Sequence, residues 1–242
     1  AGPRGTGKTS TARIFAKAGN CEGYGSSEIV HGKGKTINDM PASQAKRGER
    51  LTITKFGEPC NKCLSCKSIT DGSNLDLIEV DAASNRGIDE IRDLREKIKL
   101  SPATSRFKVY IIDEVHMLTN EAFNALLKTL EEPPSHAIFI LCTTEPNKLP
   151  ETIVSRLVRL KFSRAILTDL SWYVASIAKK ESIKIDKEGI LAIAKEADGS
   201  FRDSASILDQ LAVLGELITA DDVREITKAS GFGQALEILG LL

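Results

Sequence analysis

Gly2-Pro-Arg-Gly-Thr-Gly-Lys-Thr9 opens the chain and decides its reading. The pattern, Gly-x-x-x-x-Gly-Lys-Thr, is that of a phosphate loop. Its glycines let backbone N–H groups curl around phosphate oxygens, Lys8 reaches the terminal phosphates, and the Thr9 hydroxyl serves Mg²⁺. Ser10 to Ala18 reads as the helix that follows, with its positive end turned to the anion. Gly2, Gly5, Gly7, Lys8, Thr9 and Ser10 are therefore the candidate nucleotide contacts, with ATP and Mg²⁺ as the ligands they suit. A phosphate loop ordinarily follows a strand. None precedes Gly2, and residue 1 is Ala rather than Met, so the sequence reads as truncated at its N-terminus.

The rest of the fold extends outward from this loop. Phe107 to Ile112 is a near-continuous apolar run, as in a strand buried on both faces. It ends in Asp113-Glu114, and in open α/β sheets ligands bind beyond the carboxyl ends of the strands. Asp113 is the candidate second Mg²⁺ ligand, and Glu114 the candidate residue that orients and polarises an attacking water. Leu75–Val80 and Ala137–Cys142 read as further strands, and the alternating Leu157–Phe162 as an outer one. One hydroxyl of Thr143-Thr144 suits a γ-phosphate or the water, with Thr144 favoured; local capping is the competing use. Ile88–Leu100 reads as a helix, and Asn120 as the cap of another that carries Phe123, Leu126, Leu127 and Leu130 and stops at Pro133-Pro134.

After Ser163 the pattern turns wholly helical, over about 168–180, 186–197, 202–214 and 220–229, with Thr168, Asp186 and Thr219 as caps. The predicted architecture is an α/β domain with a parallel sheet over residues 1–163, a small helical lid over 164–231, and the start of a linker at 232–242. Arg156, after Ser155, is placed to act as an arginine finger on a neighbouring subunit's phosphate, for which a planar guanidinium is suited. Arg202, in Gly199-Ser-Phe-Arg-Asp203, opens a lid helix from which it can touch the nucleotide. Taken alone, either arginine is better explained by an ordinary surface ion pair.

Cys60, Cys63 and Cys66 form a Cys-x-x-Cys-x-x-Cys run, with Cys21 upstream. Four thiolates suit Zn²⁺ in a closed, structural tetrahedron. Cys142, inside a predicted strand, reads as a small buried hydrophobe. Residues 22–57 are polar and aperiodic, an insertion within a module spanning about 20–72; Lys46, Arg47 and Arg50 make a small basic group there, read as a solvated loop ahead of a nucleic-acid or partner contact. The formal net charge is zero, with Lys plus Arg equal to Asp plus Glu at 33 each. Any nucleic-acid contact must then come from a local patch, from helix N-termini such as those near Ser84 to Asp89, or from assembly. No run approaches the about 20 apolar residues needed to span a bilayer, and no leader is visible, so the expected location is the cytoplasm.

These motifs, in this order, resemble the bacterial clamp-loader gamma/tau family of DNA polymerase III, which belongs to the AAA+ ATPases. The resemblance runs through the phosphate loop, Asn20-Cys21, the three-cysteine run and Asp81-Ala-Ala-Ser-Asn-Arg-Gly-Ile-Asp89. It continues through Ile111-Ile-Asp-Glu-Val-His-Met-Leu118, Asn124-Ala-Leu-Leu-Lys-Thr-Leu-Glu-Glu-Pro-Pro134, Cys142-Thr-Thr-Glu-Pro-Asn-Lys-Leu-Pro150, Ser155-Arg156 and Gly199-Ser-Phe-Arg-Asp203. It implies one ATPase of a hetero-oligomeric pentamer within a DNA-directed DNA polymerase (nucleotidyltransferase) holoenzyme. ATP binding would open a sliding clamp, and primer–template DNA would trigger hydrolysis. Polymerase and helicase would be further partners if the protein is the long form; a membrane would not. It implies the finger role for Arg156, the lid sensor role for Arg202 and zinc ligation by the four cysteines.

Three departures stand out. Leu157 replaces the family's usual Cys after Ser-Arg, residues 22–57 lengthen the gap between the first two zinc cysteines, and the segments that help hold adenine and form the collar are absent. The chain alone is expected to bind ATP weakly and not to assemble normally. A rival reading, an Asp-Glu-x-His helicase, fits Asp113–His116 but needs a second motor domain that the helical second part does not supply. A non-hydrolysing loader subunit is the other rival, and it would lack part of the phosphate loop or the acid pair. An archaeal-type small subunit would not usually carry the cysteines.

Overall fold

The computed structural model describes residues 1–24, 58–85, 87–213, 215 and 217–227, and between them two short antiparallel strands, β1 (Val30–His31) and β2 (Lys35–Thr36). The remainder of the 22–57 insertion, including Lys46, Arg47 and Arg50, and the 232–242 linker lie outside the described residues. The chain divides into two compact units. The larger holds Thr9–Thr143 and Asn147–Leu157; the smaller holds Ala1–Lys8, Thr144–Pro146 and Val158–Leu242.

The larger unit is built on helix α1 (Lys8–Asn20, entered at Thr9), helix α2 (Leu64–Asp71) and a parallel sheet of β3 (Leu77–Asp81), β4 (Lys108–Asp113) and β5 (Ala137–Leu141) in the order β3-β4-β5. Helix α3 (Ile88–Ile98) joins β3 to β4, and α4 (Asn120–Glu131) joins β4 to β5, as parallel pairing requires a crossover. Successive residues of β4 face opposite sides. Tyr110 and Ile112 pack with Ile91, Leu94 and Ile98 of α3 and Phe123 and Leu126 of α4. Val109 and Ile111 pack with Ala12 and Ala16 of α1 and Ile69 of α2. That is why β4 carries no charged residue between its ends, and its one hydroxyl, on Tyr110, donates to Lys97 O (3.1 Å). Cys142 is buried in the second of these clusters, as expected of a small hydrophobe. Asn20, the last residue of α1, clamps the approach to β4: its side chain donates to Phe107 O (2.9 Å) and accepts from Phe107 N–H (2.8 Å).

Asp76, just before β3, is 1% exposed. Its carboxylate accepts backbone N–H bonds from Ala103 (2.7 Å), Thr104 (2.8 Å) and Ser105 (2.7 Å). Burial by itself would raise its pKa; the donations from Thr104, Ala103 and Ser105 outweigh it and hold the group below the usual carboxylate range. A depressed folded-state pKa gives stability that is present above the unfolded value, about 3.9, and lost as pH falls through the lower folded one. Asp76→Asn is expected to cost about 2 kcal/mol at neutral pH. Urea midpoints check this: the gap between variant and wild type should hold from pH 7 to about 4 and narrow below that. A gap that widens on acidification would contradict the assignment.

In the smaller unit, α6 (Leu167–Lys180), α7 (Lys187–Glu196), α8 (Phe201–Ala212) and a further helix over 220–227 enclose Val174, Ala178, Ile193, Leu208, Leu211, Ile218 and Val223. Asp186 caps α7 by accepting from Gly189 N–H (2.6 Å), and Thr219 N–H and hydroxyl both donate to Asp222 (2.7 Å each) at the start of the last helix. Two predicted caps differ. Thr168 lies inside α6, whose N-cap Ile166 makes no side-chain bond. Asn120 is the first residue of α4, and the Thr119 hydroxyl accepts from Ala122 N–H (3.2 Å) in its place. Leu157–Phe162 is not a strand. Phe162 N–H donates to Ala1 O (2.8 Å) and Ala1 N to Leu160 O (2.7 Å), while Leu157 N–H donates back to Val154 O (3.2 Å). One residue supplies too few partners for a ladder, although Val158 and Leu160 remain on its exposed side.

Candidate functional site

In the smaller unit the phosphate loop is held by its own backbone and by the start of α8. Gly5 and Gly7 take left-handed φ values of 73° and 88°, which glycine adopts without steric cost. A Cβ on Gly5 would also overlap the hydroxyl of Ser200, the N-cap of α8. Phe201 N–H donates to Gly5 O (3.0 Å), so the loop and the helix start are joined through the main chain. Gly2 rests against Phe162. The Pro3 carbonyl accepts from the Thr6 hydroxyl and from Lys8 Nζ, both at 2.8 Å. Lys8 is 8% exposed, and that carbonyl offsets part of the cost of burying its ammonium group. Arg202 lies in the first turn of α8, exposed, on the side of Gly5.

In the larger unit, the end of β4 gathers a second set. Asp113 Oδ2 accepts from the Thr9 hydroxyl at 2.7 Å, and Oδ1 accepts from Glu114 N–H at 2.9 Å. A hydroxyl and a carboxylate this close are the oxygen donors a Mg²⁺ ion takes from a protein when phosphates and water complete its shell. Ser10 follows Thr9 in α1 and is exposed. Glu114 has φ 46° and ψ 43°, left-handed for a non-glycine residue, a conformation that costs of the order of 1 kcal/mol or more and clusters at functional sites. The turn sends the chain back across the sheet end, where Val115 N–H donates to Cys142 O (3.0 Å). His116 then lies with Nδ1 2.9 Å from Thr143 Oγ1 and 3.4 Å from Glu114 Oε2.

The sequence favours Thr144 of the two threonines and gives His116 no role in the site. The structure puts Thr143, buried, against His116, whereas Thr144 falls in the smaller unit. The position of His116 two residues after Glu114 was the available signal. Arg156 follows the short helix α5 (Glu151–Val154). It pairs with Glu131 (2.9 Å) and donates to Thr152 O.

The four cysteines meet. The Sγ atoms of Cys21, Cys60, Cys63 and Cys66 all lie within 4.8 Å of one another. A tetrahedral zinc–thiolate site, with bonds of about 2.3 Å, needs sulfurs about 3.8 Å apart, so the donor set fits with little adjustment. Cys21 follows directly on α1, and Cys63 caps α2 by accepting from Cys66 N–H (3.4 Å). N–H groups of Lys62 (3.5 Å) and Cys63 (3.3 Å) point at Cys60 Sγ and lower its pKa to about 6. Burial pushes the Cys66 thiol up to about 12. Four sulfurs crowded together suit a cation that makes all of them thiolates.

Comparison with known proteins agrees with this geometry. A family model described as "DNA polymerase III, delta subunit" matches residues 32–165, more than half of the chain, and one described as "DNA polymerase III clamp loader subunit, ATPase lid domain" matches residues 170–216. The chain is similar to the DNA polymerase III subunit tau of Bacillus subtilis, 47% identical over 229 residues, which are 94% of this chain and 35% of that protein. The Escherichia coli subunit tau is 40% identical over 215 residues, 89% of this chain and 29% of that protein. The chain thus spans about a third of the length of these relatives. Among solved structures, the Thermotoga maritima RuvB Holliday junction branch migration motor superposes with a TM-score of 0.53 at 17% identity, over 68% of this chain and 56% of that one. This likeness shows an α/β fold with a parallel sheet. On these matches, the chain belongs to the gamma/tau family of DNA polymerase III clamp-loader subunits.

Proposed function

We propose that this chain is the nucleotide-binding and lid portion of a clamp-loader motor, hydrolysing ATP with Mg²⁺ to open a sliding clamp and close it on primed DNA. The observation that carries the reading is the 2.7 Å contact between the Thr9 hydroxyl and Asp113, with Glu114 next along the chain. Thr9 directly follows Lys8, so the phosphate loop leads into the Mg²⁺ ligand without a break. Gly2, Gly5, Gly7, Lys8 and Ser10 would contact the phosphates. Thr9 and Asp113 would hold Mg²⁺, and Glu114 would accept a proton from the attacking water. Of the two threonines, Thr143 would be the hydroxyl that senses the γ-phosphate, because it meets the His116 ring that also faces Glu114. Arg202 would read the nucleotide from the lid, and Arg156 would act on the nucleotide of a neighbouring subunit.

Residues 1–163 and 164–231 would be the nucleotide-binding and lid domains. Partners would be other loader subunits, the clamp and primer–template DNA, in the cytoplasm. No helix of the described residues is long and apolar enough to cross a membrane. Separate measurement of ATP binding and ATP turnover on the full-length protein tests the reading: loss of Lys8 should remove both, and loss of Glu114 only turnover.

Zinc is the metal we assign to Cys21, Cys60, Cys63 and Cys66, in a structural role. The purified protein is expected to contain about one zinc per chain and Cys63→Ser close to none, as metal analysis would read. A metal held at a hundred times its Kd stabilises the fold by about 2.7 kcal/mol, so a chelator should lower the melting temperature. A metal-free protein whose melting ignores chelators would contradict the assignment.

A further inference from the structure

The ring of His116 is buried, its side chain 5% exposed, at the ends of β4 and β5. Its place is fixed from both strands. The left-handed turn at Glu114 brings the chain back, Val115 N–H is tied to Cys142 O, and Met117 N–H closes on Glu114 O at 2.8 Å. One ring nitrogen, Nδ1, thereby faces two oxygens, that of the Thr143 hydroxyl at 2.9 Å and that of the Glu114 carboxylate at 3.4 Å. A single ring nitrogen makes one full-strength hydrogen bond. The closer one, to Thr143, orients the ring, and the oriented ring presents Nδ1 to Glu114. The Glu114 side chain is partly exposed, at 29%.

We propose that His116 is a positioning residue for ATP hydrolysis: through Nδ1 it sets the direction of the Glu114 carboxylate and ties it to the state of the Thr143 hydroxyl. This inference rests on Glu114 being the residue that activates water. It gives the γ-phosphate a route to the base. A Thr143 hydroxyl drawn to phosphate changes its bond to His116, and His116 changes its hold on Glu114. The ring itself need not touch nucleotide or water.

The test is steady-state ATP hydrolysis by the full-length protein in its assembled loader, comparing wild type with His116→Ala, His116→Asn, His116→Gln and Glu114→Gln. Thermal melts confirm that each variant folds. His116→Ala should lower kcat about tenfold, the low end for removing a residue that orients a reacting group, with KM for ATP within about twofold of wild type. The Asn amide falls near the position of Nδ1, whereas the Gln amide reaches towards Nε2. His116→Asn should therefore recover most of kcat and His116→Gln little of it, although Gln is closer to His in size. If Gln restores turnover as well as Asn, His116 fills space and the proposal is overturned. An inactive Glu114→Gln beside a fully active His116→Ala overturns this proposal alone. A fully active Glu114→Gln overturns the reading of Glu114 itself, and this inference with it. If the alanine variant does not fold, the comparison of Asn with Gln still decides.

Discussion

Glu114→Gln in the full-length protein, assembled with its partner subunits, is expected to lower ATP turnover by about 10³-fold, within the range for loss of a general base. ATP affinity should stay near that of wild type. The amide keeps the size and the left-handed turn of Glu114 but loses the charge and the proton-accepting oxygen, so a water beside it is neither oriented nor polarised. A 10³-fold loss is about 4 kcal/mol of transition-state stabilisation. Binding depends on different groups: the phosphate loop, and the Thr9–Asp113 pair, whose hydrogen bond does not involve the Glu114 side chain. Titration with a fluorescent nucleotide and a phosphate-release assay separate the two quantities. Equal loss of both would mean that residue 114 shapes the nucleotide site and performs no chemistry.

Arg156→Ala should reduce turnover in the assembled loader by about 10³-fold, at the low end for loss of an arginine finger. The stability of the single chain should hardly change. Its side chain is 39% exposed and that of its partner Glu131 43% exposed. An ion pair so open to solvent contributes at most about 1 kcal/mol, so Arg156 can leave Glu131 for a phosphate on another subunit at little cost. Arg156→Lys should recover only a small part of the activity, because a point charge does not reproduce the planar fork. The measurement is phosphate release from loaders reconstituted with variant and wild-type subunits. An unchanged rate, or a melting temperature lowered by many degrees, would make Arg156 a local structural residue.

The parts of the fold that rest on dense physical constraints were legible in the sequence. A strand covered on both faces has no room for polar residues, so Phe107–Ile112 announced β4 to within one residue. A phosphate loop must place glycines where backbone approaches anion, which makes its spacing rigid. Thiolates must converge to share a metal, and Cys21 joins the other three across a long intervening segment because loop-closure cost grows only slowly with length.

Other features rest on weaker constraints. Alternation over Leu157–Phe162 specifies which side each residue faces but not that a partner strand exists; no strand pairs with it among the described residues. Capping residues announce a helix start without fixing its register, so Thr119 was passed over for Asn120. The choice between Thr143 and Thr144, and the part played by His116, depend on how the left-handed turn at Glu114 re-aims the chain. Glutamate seldom adopts that conformation, and its identity does not signal it.

The central claim, an ATP-driven clamp-loading motor, is tested most directly by one measurement: ATP hydrolysis by the assembled full-length loader, with and without sliding clamp and primed DNA. The account predicts strong stimulation when both are present, and loss of that stimulation in Arg156→Ala although ATP still binds. Hydrolysis that ignores the clamp, or that persists at the stimulated rate without Arg156, would contradict it.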